Sequence, residues 1–496
     1  MKRMTLAALF ALALGLGGCS LTLDLEDECD VNGDCSGGLV CCENLCVEAG
    51  SCGGGGGQGG GVPTERPADC NHIYGVPEAN IYDDNTVLLG MMMPTTGDLG
   101  AVGLAIERAA ALAAEEINGS GGPGEGRRFG IIACDTKTDP AVAITNATWL
   151  IGQAHVPAII GPATSTNTIR TFNEVAKAAG VVLISPSATS PEISDLPDDD
   201  LLWRTVPSDA IQGLAIVAHV GALNYNKVAV IYRDDAYGTG LFNAIQFPLC
   251  DLDACGPDRF LGRRFTADED GNIDGTAVND IITELQGFEP DVIVLISFVK
   301  AGTTILNNAA RNGFATTPIV LADGMRDKEV LMGVGSVELL RSIIGTAAAS
   351  PDGAVYQVFA NAYRAKYGED PGVYNAQAYD AMYLLALAIG SIGEGEVTGA
   401  AIAAGLKRMN RGEKVLARAN DWNKGLRTLT EAAGATIDFE GASGPLNFDN
   451  TKGEAPGNIE GWYFDIDAMD VSSLGVIYAA DGTYTPFDPP HADPMN

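Results

Sequence analysis

Val156-Pro157-Ala158-Ile159-Ile160-Gly161-Pro162-Ala163-Thr164-Ser165-Thr166 is followed closely by a second stretch of the same design, Val181-Val182-Leu183-Ile184-Ser185-Pro186-Ser187-Ala188-Thr189-Ser190-Pro191. Each is an apolar, β-branched run that ends in a small, hydroxyl-rich loop. At the carboxyl end of a parallel strand, a loop of this kind enters the next helix and presents free backbone N–H groups and the positive end of the helix dipole. That is a seat for a small anion such as a carboxylate. Helix capping by Ser165 and Thr166, or a proline-bounded turn, would explain one such loop alone. Two in consecutive strand–helix units, at the same end of a sheet, point to a ligand.

Outward from these loops, short β-branched runs alternate with amphipathic stretches, the signature of parallel sheets with crossover helices. Strands are expected over 86–92, 129–134, 156–160, 181–184, 228–232, 292–296 and 319–321. The helix after Gly100 keeps Val102, Ile106, Ala109, Ala110, Ala113 and Ile117 near one face, and Asp139-Pro140 reads as an N-cap followed by proline at the first helical position. With 496 residues and 46% hydrophobic content, the chain can build two α/β domains with real cores. Its 64 acidic against 30 basic side chains, net −34, argue against a nucleic-acid partner and serve solubility.

The N-terminus has a different character. Lys2 and Arg3 precede the apolar run 4–16, too short to span a bilayer and shaped like a secretory signal over 1–18. It ends in Leu16-Gly17-Gly18-Cys19, which resembles the bacterial lipobox, so Cys19 is the expected lipidated residue. Ten cysteines remain of eleven, an even number that suits an oxidising compartment. Cys29, Cys35, Cys41, Cys42, Cys46 and Cys52 form a module over 19–52. Its C-x5-C-x5-CC-x3-C-x5-C spacing is similar to cystine-knot miniproteins, which implies pairings 29 to 42, 35 to 46 and 41 to 52. A glycine-rich tether occupies 53–69. Cys70 and Cys134 flank neighbouring expected strands, and Cys250 with Cys255 would close a small loop, as disulfides or as thiols.

Other motifs fail on context. Gly119-Ser120-Gly121-Gly122-Pro123-Gly124 matches G-x-G-x-x-G but follows a helix and precedes a strand, the reverse of a dinucleotide fingerprint. The acidic run from Asp268 to Asp274 has Ile273 where a calcium loop needs glycine, so it reads as a solvated turn. His72, His155, His219 and His491 are scattered, and the chain has no nucleophile elbow and no phosphate-binding loop. No catalytic residue, cofactor or metal site is expected, and the chain does not read as an enzyme.

Five markers carry a family resemblance: Gly161-Pro162 with Ser165, Ser-Pro-x-Ala-Thr-x-Pro-Glu over 185–192, Arg204-x-x-Pro207-Ser208-Asp209, Tyr237-Gly238-x-Gly240, and Tyr379-Asp380-Ala381. In order and spacing these resemble the type I periplasmic binding proteins of the branched-chain amino-acid (leucine/isoleucine/valine) family. The resemblance implies two Rossmann-like lobes with parallel sheets joined by a hinge, behind the small disulfide-rich module. Lobe 1 would comprise 70–208 and 350–457, and lobe 2 would comprise 209–349 and 458–496. An amino acid would sit between them, with Ser165 and Thr189 on its carboxylate, the Ser187 carbonyl and Asp323 on its ammonium, and Thr166 also among the ligand-binding residues. Tyr237 and Phe298 would cover it. The implied function is capture of an amino acid or similar small zwitterion for an ABC-type permease, in the periplasm or cell envelope, with membrane contact through the lipid anchor. A ligand-sensing receptor of the same fold, and an envelope interaction protein acting through the cysteine module, are the competing readings. Departures from the family lie at Val102, where an aromatic is usual, at Phe298 in place of tyrosine, and near Thr164, where a cysteine is absent.

Overall fold

The β-branched runs form the cores of two sheets. The computed structural model describes residues 65–252, 254–349 and 353–486, together with the backbone of the strands Leu39–Cys42 and Leu45–Glu48. The chain divides into two units, Met1–Gly59 and Gly60–Asn496. In the first, the two short strands pair antiparallel with Cys41 opposite Cys46. The signal segment, Cys19, the tether over 53–64 and the cysteine side chains of the module lie outside the described residues.

In the larger unit, one sheet has the spatial order His72–Tyr74, Arg128–Asp135, Thr86–Met93, Ala158–Ile160, Val182–Ser185, Leu202–Arg204, parallel except for the first edge strand. The second runs Phe260–Phe265, Val228–Arg233, Val292–Ile296, Ile319–Leu321, Ile343–Ala348, then the antiparallel pair Ile459–Asp465 and Asp470–Tyr478. These sheets are the cores of two lobes. Central strands are buried on both faces, which is why they read as continuous apolar runs rather than alternating ones. Pro157 has no N–H to give a ladder, so the strand expected from 156 starts at Ala158.

The helix Gly100–Gly119 buries the six residues expected on its core face and packs against the helix Asn375–Gly390. Asp139 caps the helix Pro140–Gly152 by accepting from Ala141 N, with proline at the first position. The glycine-rich segment after Gly119 is a turn into the strand Arg128–Asp135, and the acidic run folds as a turn around Asp268, which accepts from the Asp270 and Asn272 amides. Cys70–Cys134 and Cys250–Cys255 are disulfides. Among the described residues no helix is long and apolar enough to cross a membrane.

Both sheets have a point where the strand order reverses, and this decides where a site can form. In the first, Thr86–Met93 lies between Arg128–Asp135 and Ala158–Ile160; in the second, Val228–Arg233 lies between Phe260–Phe265 and Val292–Ile296. Loops leaving the carboxyl ends of strands diverge at such points and leave a crevice. The loops before Gly100 and after Ile160 thus open on one side, and those before Ala236 and after Ile296 on the other.

Candidate functional site

A cavity with about 280 Å³ of empty space lies between these loops. Its first-lobe wall is Leu99, Ala163, Thr164, Ser165, Ser187, Thr189 and Tyr374; its second-lobe wall is Tyr237, Phe298, Asp323 and Gly324.

The first wall is built locally. Gly161 takes φ +102°, and a Cβ there would meet Met92 O at 2.4 Å, so the chain can turn at that position only as glycine. Thr164 caps the helix that begins at Ser165, its hydroxyl accepting from Asn167 N at 3.3 Å. The Ser165 and Thr166 amides have no partner inside the helix, as first-turn donors cannot. Ser185 Oγ donates to Pro162 O at 2.6 Å and Ser187 Oγ to Ala163 O at 2.9 Å, while Ser190 N donates to Ser165 Oγ at 3.1 Å. These bonds stitch the two loops to each other. They also set roles: the Ser187 hydroxyl is spent on the backbone, and Ser165, accepting from Ser190, keeps its own O–H to donate. Thr189 Oγ1 is buried beside the carboxylate of Asp209.

Beneath the second loop, Arg204 is fully buried. Its guanidinium donates to Ser190 O at 2.9 Å, to Ala188 O at 3.3 Å, to Ser194 Oγ at 2.6 Å and to the Glu454 carboxylate. The loop rests on a charge that is already neutralised.

The opposite wall centres on Asp323, which follows the strand Ile319–Leu321 and is 3% exposed. Its Oδ1 accepts from Gln212 Nε2 at 3.0 Å and Tyr237 Oη at 2.8 Å, and its Oδ2 accepts from Tyr374 Oη. Burial pushes Asp323 above the usual carboxylate range, against the pull of those three donors. Asp209, at the start of the helix Asp209–Ala222, is completely buried, with the Thr189 hydroxyl and the Arg204 charge as its favourable neighbours. Burial first, and then the charge of Asp323, push Asp209 well above its ordinary value. One buried carboxylate, Asp323, and several hydroxyls face a cavity with no cation in its lining, and Asp209 lies behind that lining.

Phe298 stacks on Tyr237, ring centroids 5.5 Å apart and 10° between planes, closing the second-lobe side. Of the seven residues expected to bind, Ser165, Ser187, Thr189, Tyr237, Phe298 and Asp323 line the cavity. Thr166 does not: its Oγ1 accepts from Ala236 N at 3.1 Å across the seam between the lobes.

A family model for the receptor family ligand binding region matches residues 105–465. The chain belongs to this family. Within it, the chain has the type I periplasmic binding protein fold. It is 27% identical to an amino acid binding protein of Pseudomonas aeruginosa over 321 residues, 64% of this chain and 81% of that one. The leucine binding protein of Thermotoga maritima superposes with a TM-score of 0.64 at 22% identity, covering 79% of this chain and 98% of that chain. A branched-chain amino acid transporter substrate binding protein of Streptococcus pneumoniae, crystallised with isoleucine, gives 0.63 at 26% identity, covering 79% and 99%.

Sequence reading missed Leu99, Tyr374, Gln212 and Asp209 of this periplasmic binding protein. Asp209 could have been found, because it ends the Arg204-x-x-Pro207-Ser208-Asp209 marker. Leu99, not Val102, is the cavity-facing residue of its segment, three positions earlier on the chain. Tyr374 sits at φ +66°, a left-handed conformation no local pattern announces, and reaches Asp323 through the fold alone.

Proposed function

We propose that this protein captures an amino acid, branched-chain-like or another small zwitterion, by closure of its two lobes, and delivers it to an ABC-type permease. The observation that carries the reading is a cavity with neutral hydroxyl and N–H donors on one wall and the Asp323 carboxylate on the other, with Asp209 behind the lining. A carboxylate needs the first and an ammonium the second. Ser165 and Thr189 receive the carboxylate, the Ser187 carbonyl and Asp323 receive the ammonium with Asp209 behind it, and Tyr237 and Phe298 cover the ligand. Thr166 acts on the seam rather than on the ligand. The lobes in this reading are 70–208 with 350–457 and 209–349 with 458–496.

The deciding experiment is a melting screen with amino acids, their amides, amines and deaminated acids, because a ligand bound only by the folded state raises the midpoint by mass action. Stabilisation by an amino acid, and by neither its amide nor its deaminated acid, is expected. An equal shift with the deaminated acid would remove the ammonium half. The lipid anchor is part of the same proposal: Cys19→Ser should move the protein from the membrane to the soluble extracytoplasmic fraction.

A further inference from the structure

Asp98 and Arg233 lie outside the cavity lining, yet they are joined to it. Asp98 precedes the cavity residue Leu99 in the turn before the helix Gly100–Gly119, and Arg233 ends the strand Val228–Arg233 of the other sheet. Arg233 Nη1 donates to Asp98 Oδ2 at 2.7 Å, with the residues 8% and 2% exposed. Around this pair the lobes fit closely. Asp98 N donates to Glu269 O at 2.7 Å, and Ala301 N reaches Asp98 Oδ1 at 3.5 Å. A Cβ on Gly271 would fall 2.3 Å from Asp98 Oδ1. The acidic run around Asp268 therefore forms part of the seam.

From Arg233 a line of contacts leads to the centre of the site. Its Nε is held by Asp235, and its guanidinium carbon lies 3.8 Å from the centroid of the Phe298 ring. Phe298 stacks on Tyr237, and the Tyr237 hydroxyl donates to Asp323. A flat, weakly hydrated guanidinium over an aromatic face is held best when both are out of water. Asp98 docks on this arrangement from the other lobe.

We propose that Asp98 and Arg233 form an interlobe latch, with Arg233 a positioning residue that presses Phe298 onto Tyr237 and so holds the Tyr237 hydroxyl on Asp323 only when the lobes are closed. The latch acts on closure itself, whatever ligand the cavity takes. The test is the interlobe distance in the full chain without ligand, from paired nitroxide labels at Thr145→Cys and Lys328→Cys. The unsubstituted chain should show a measurable closed population. Asp98→Asn and Arg233→Met should each lower the closed-to-open ratio by about tenfold or more, as expected for loss of a charge-assisted hydrogen bond. The double variant should be no more open than either single one, and Arg233→Lys, which keeps charge without the flat fork, should fall between. Gly271→Ala opens the seam without altering either charge and serves should a charge variant fail to fold. A ligand-free chain with no closed population, an Asp98→Asn distribution matching the unsubstituted protein, or additive effects in the double variant would each overturn the latch. The distance measurement uses no ligand, so failure of amino acids to bind counts against the proposed function and leaves the latch standing.

Discussion

The first-lobe and second-lobe walls of the cavity achieve polarity in different ways. The first is assembled from two short loops, neutral throughout, whose hydroxyls and carbonyls bind one another before anything else binds them. The second concentrates charge: Asp323 and Asp209 are buried together, and the donors on Asp323 come from Gln212, Tyr237 and Tyr374, on separate elements. Donors of the first kind cost little to bury because they are already paired. A buried pair of carboxylates is costly to ionise until a cation meets it. The asymmetry predicts that the first wall sets where a ligand sits and the second sets whether it binds.

The strongest way to break this comparison is to remove the support of the neutral wall. Arg204→Met leaves Glu454 without its buried partner and should destabilise the fold by about 3–5 kcal/mol in urea unfolding. A loss below about 1 kcal/mol would mean that the loop does not rest on this pair. Next in size, Asp323→Ala should weaken an amino-acid ligand by about 1.5–3 kcal/mol or more in calorimetry, because it removes the acceptor and orphans three donors. Unchanged affinity would take the ammonium away from this wall.

Acidity sharpens the contrast. The folded-state pKa values of Asp209 and Asp323 are raised, mainly by burial. The unfolded chain, with ordinary values near 3.9, therefore releases these protons first, and the pair favours folding most at low pH. That contribution fades as pH climbs from about 4 through the folded-state values. An ammonium ligand stabilises the ionised pair, so binding should release protons and tighten as pH rises through the same range. Calorimetry in buffers of different ionisation enthalpy reads the release directly, and Asp209→Asn should reduce it. Proton uptake on binding would reverse the assignment. The smallest effect is expected at Ser165→Ala, about 1 kcal/mol in affinity for a carboxylate ligand, since backbone amides remain in place. A loss as large as that of Asp323→Ala would show that the walls do not differ as described.

The same division separates what could be read in the chain from what could not. Seven strands of the two sheets, the helix Gly100–Gly119, the Asp139 cap and both disulfides of the larger unit were legible because each depends on neighbours in sequence or on composition, whereas His72–Tyr74, Leu202–Arg204, Phe260–Phe265, Ile343–Ala348, Ile459–Asp465 and Asp470–Tyr478 were not. The loops after Ile160 and Ile184 were legible for the same reason. Thr166 turns its hydroxyl to Ala236, seventy residues away, which no local pattern marks. Gln212 lies 111 positions from Asp323 and Tyr374 lies 51 beyond it, and nothing in their local sequence marks either as its partner.

By itself, then, the sequence determined an α/β architecture, an anion-receiving pair of loops and the family that carries them, because periodicity, caps and turn chemistry act over a few residues. The tertiary structure alone decided that Asp209 would be buried beside Asp323, that Tyr374 would cross to it, and that Asp98 would meet Arg233 from a position 135 residues distant. Burial and charge pairing act through space, and their strength depends on which distant segments the two sheets bring to one crevice.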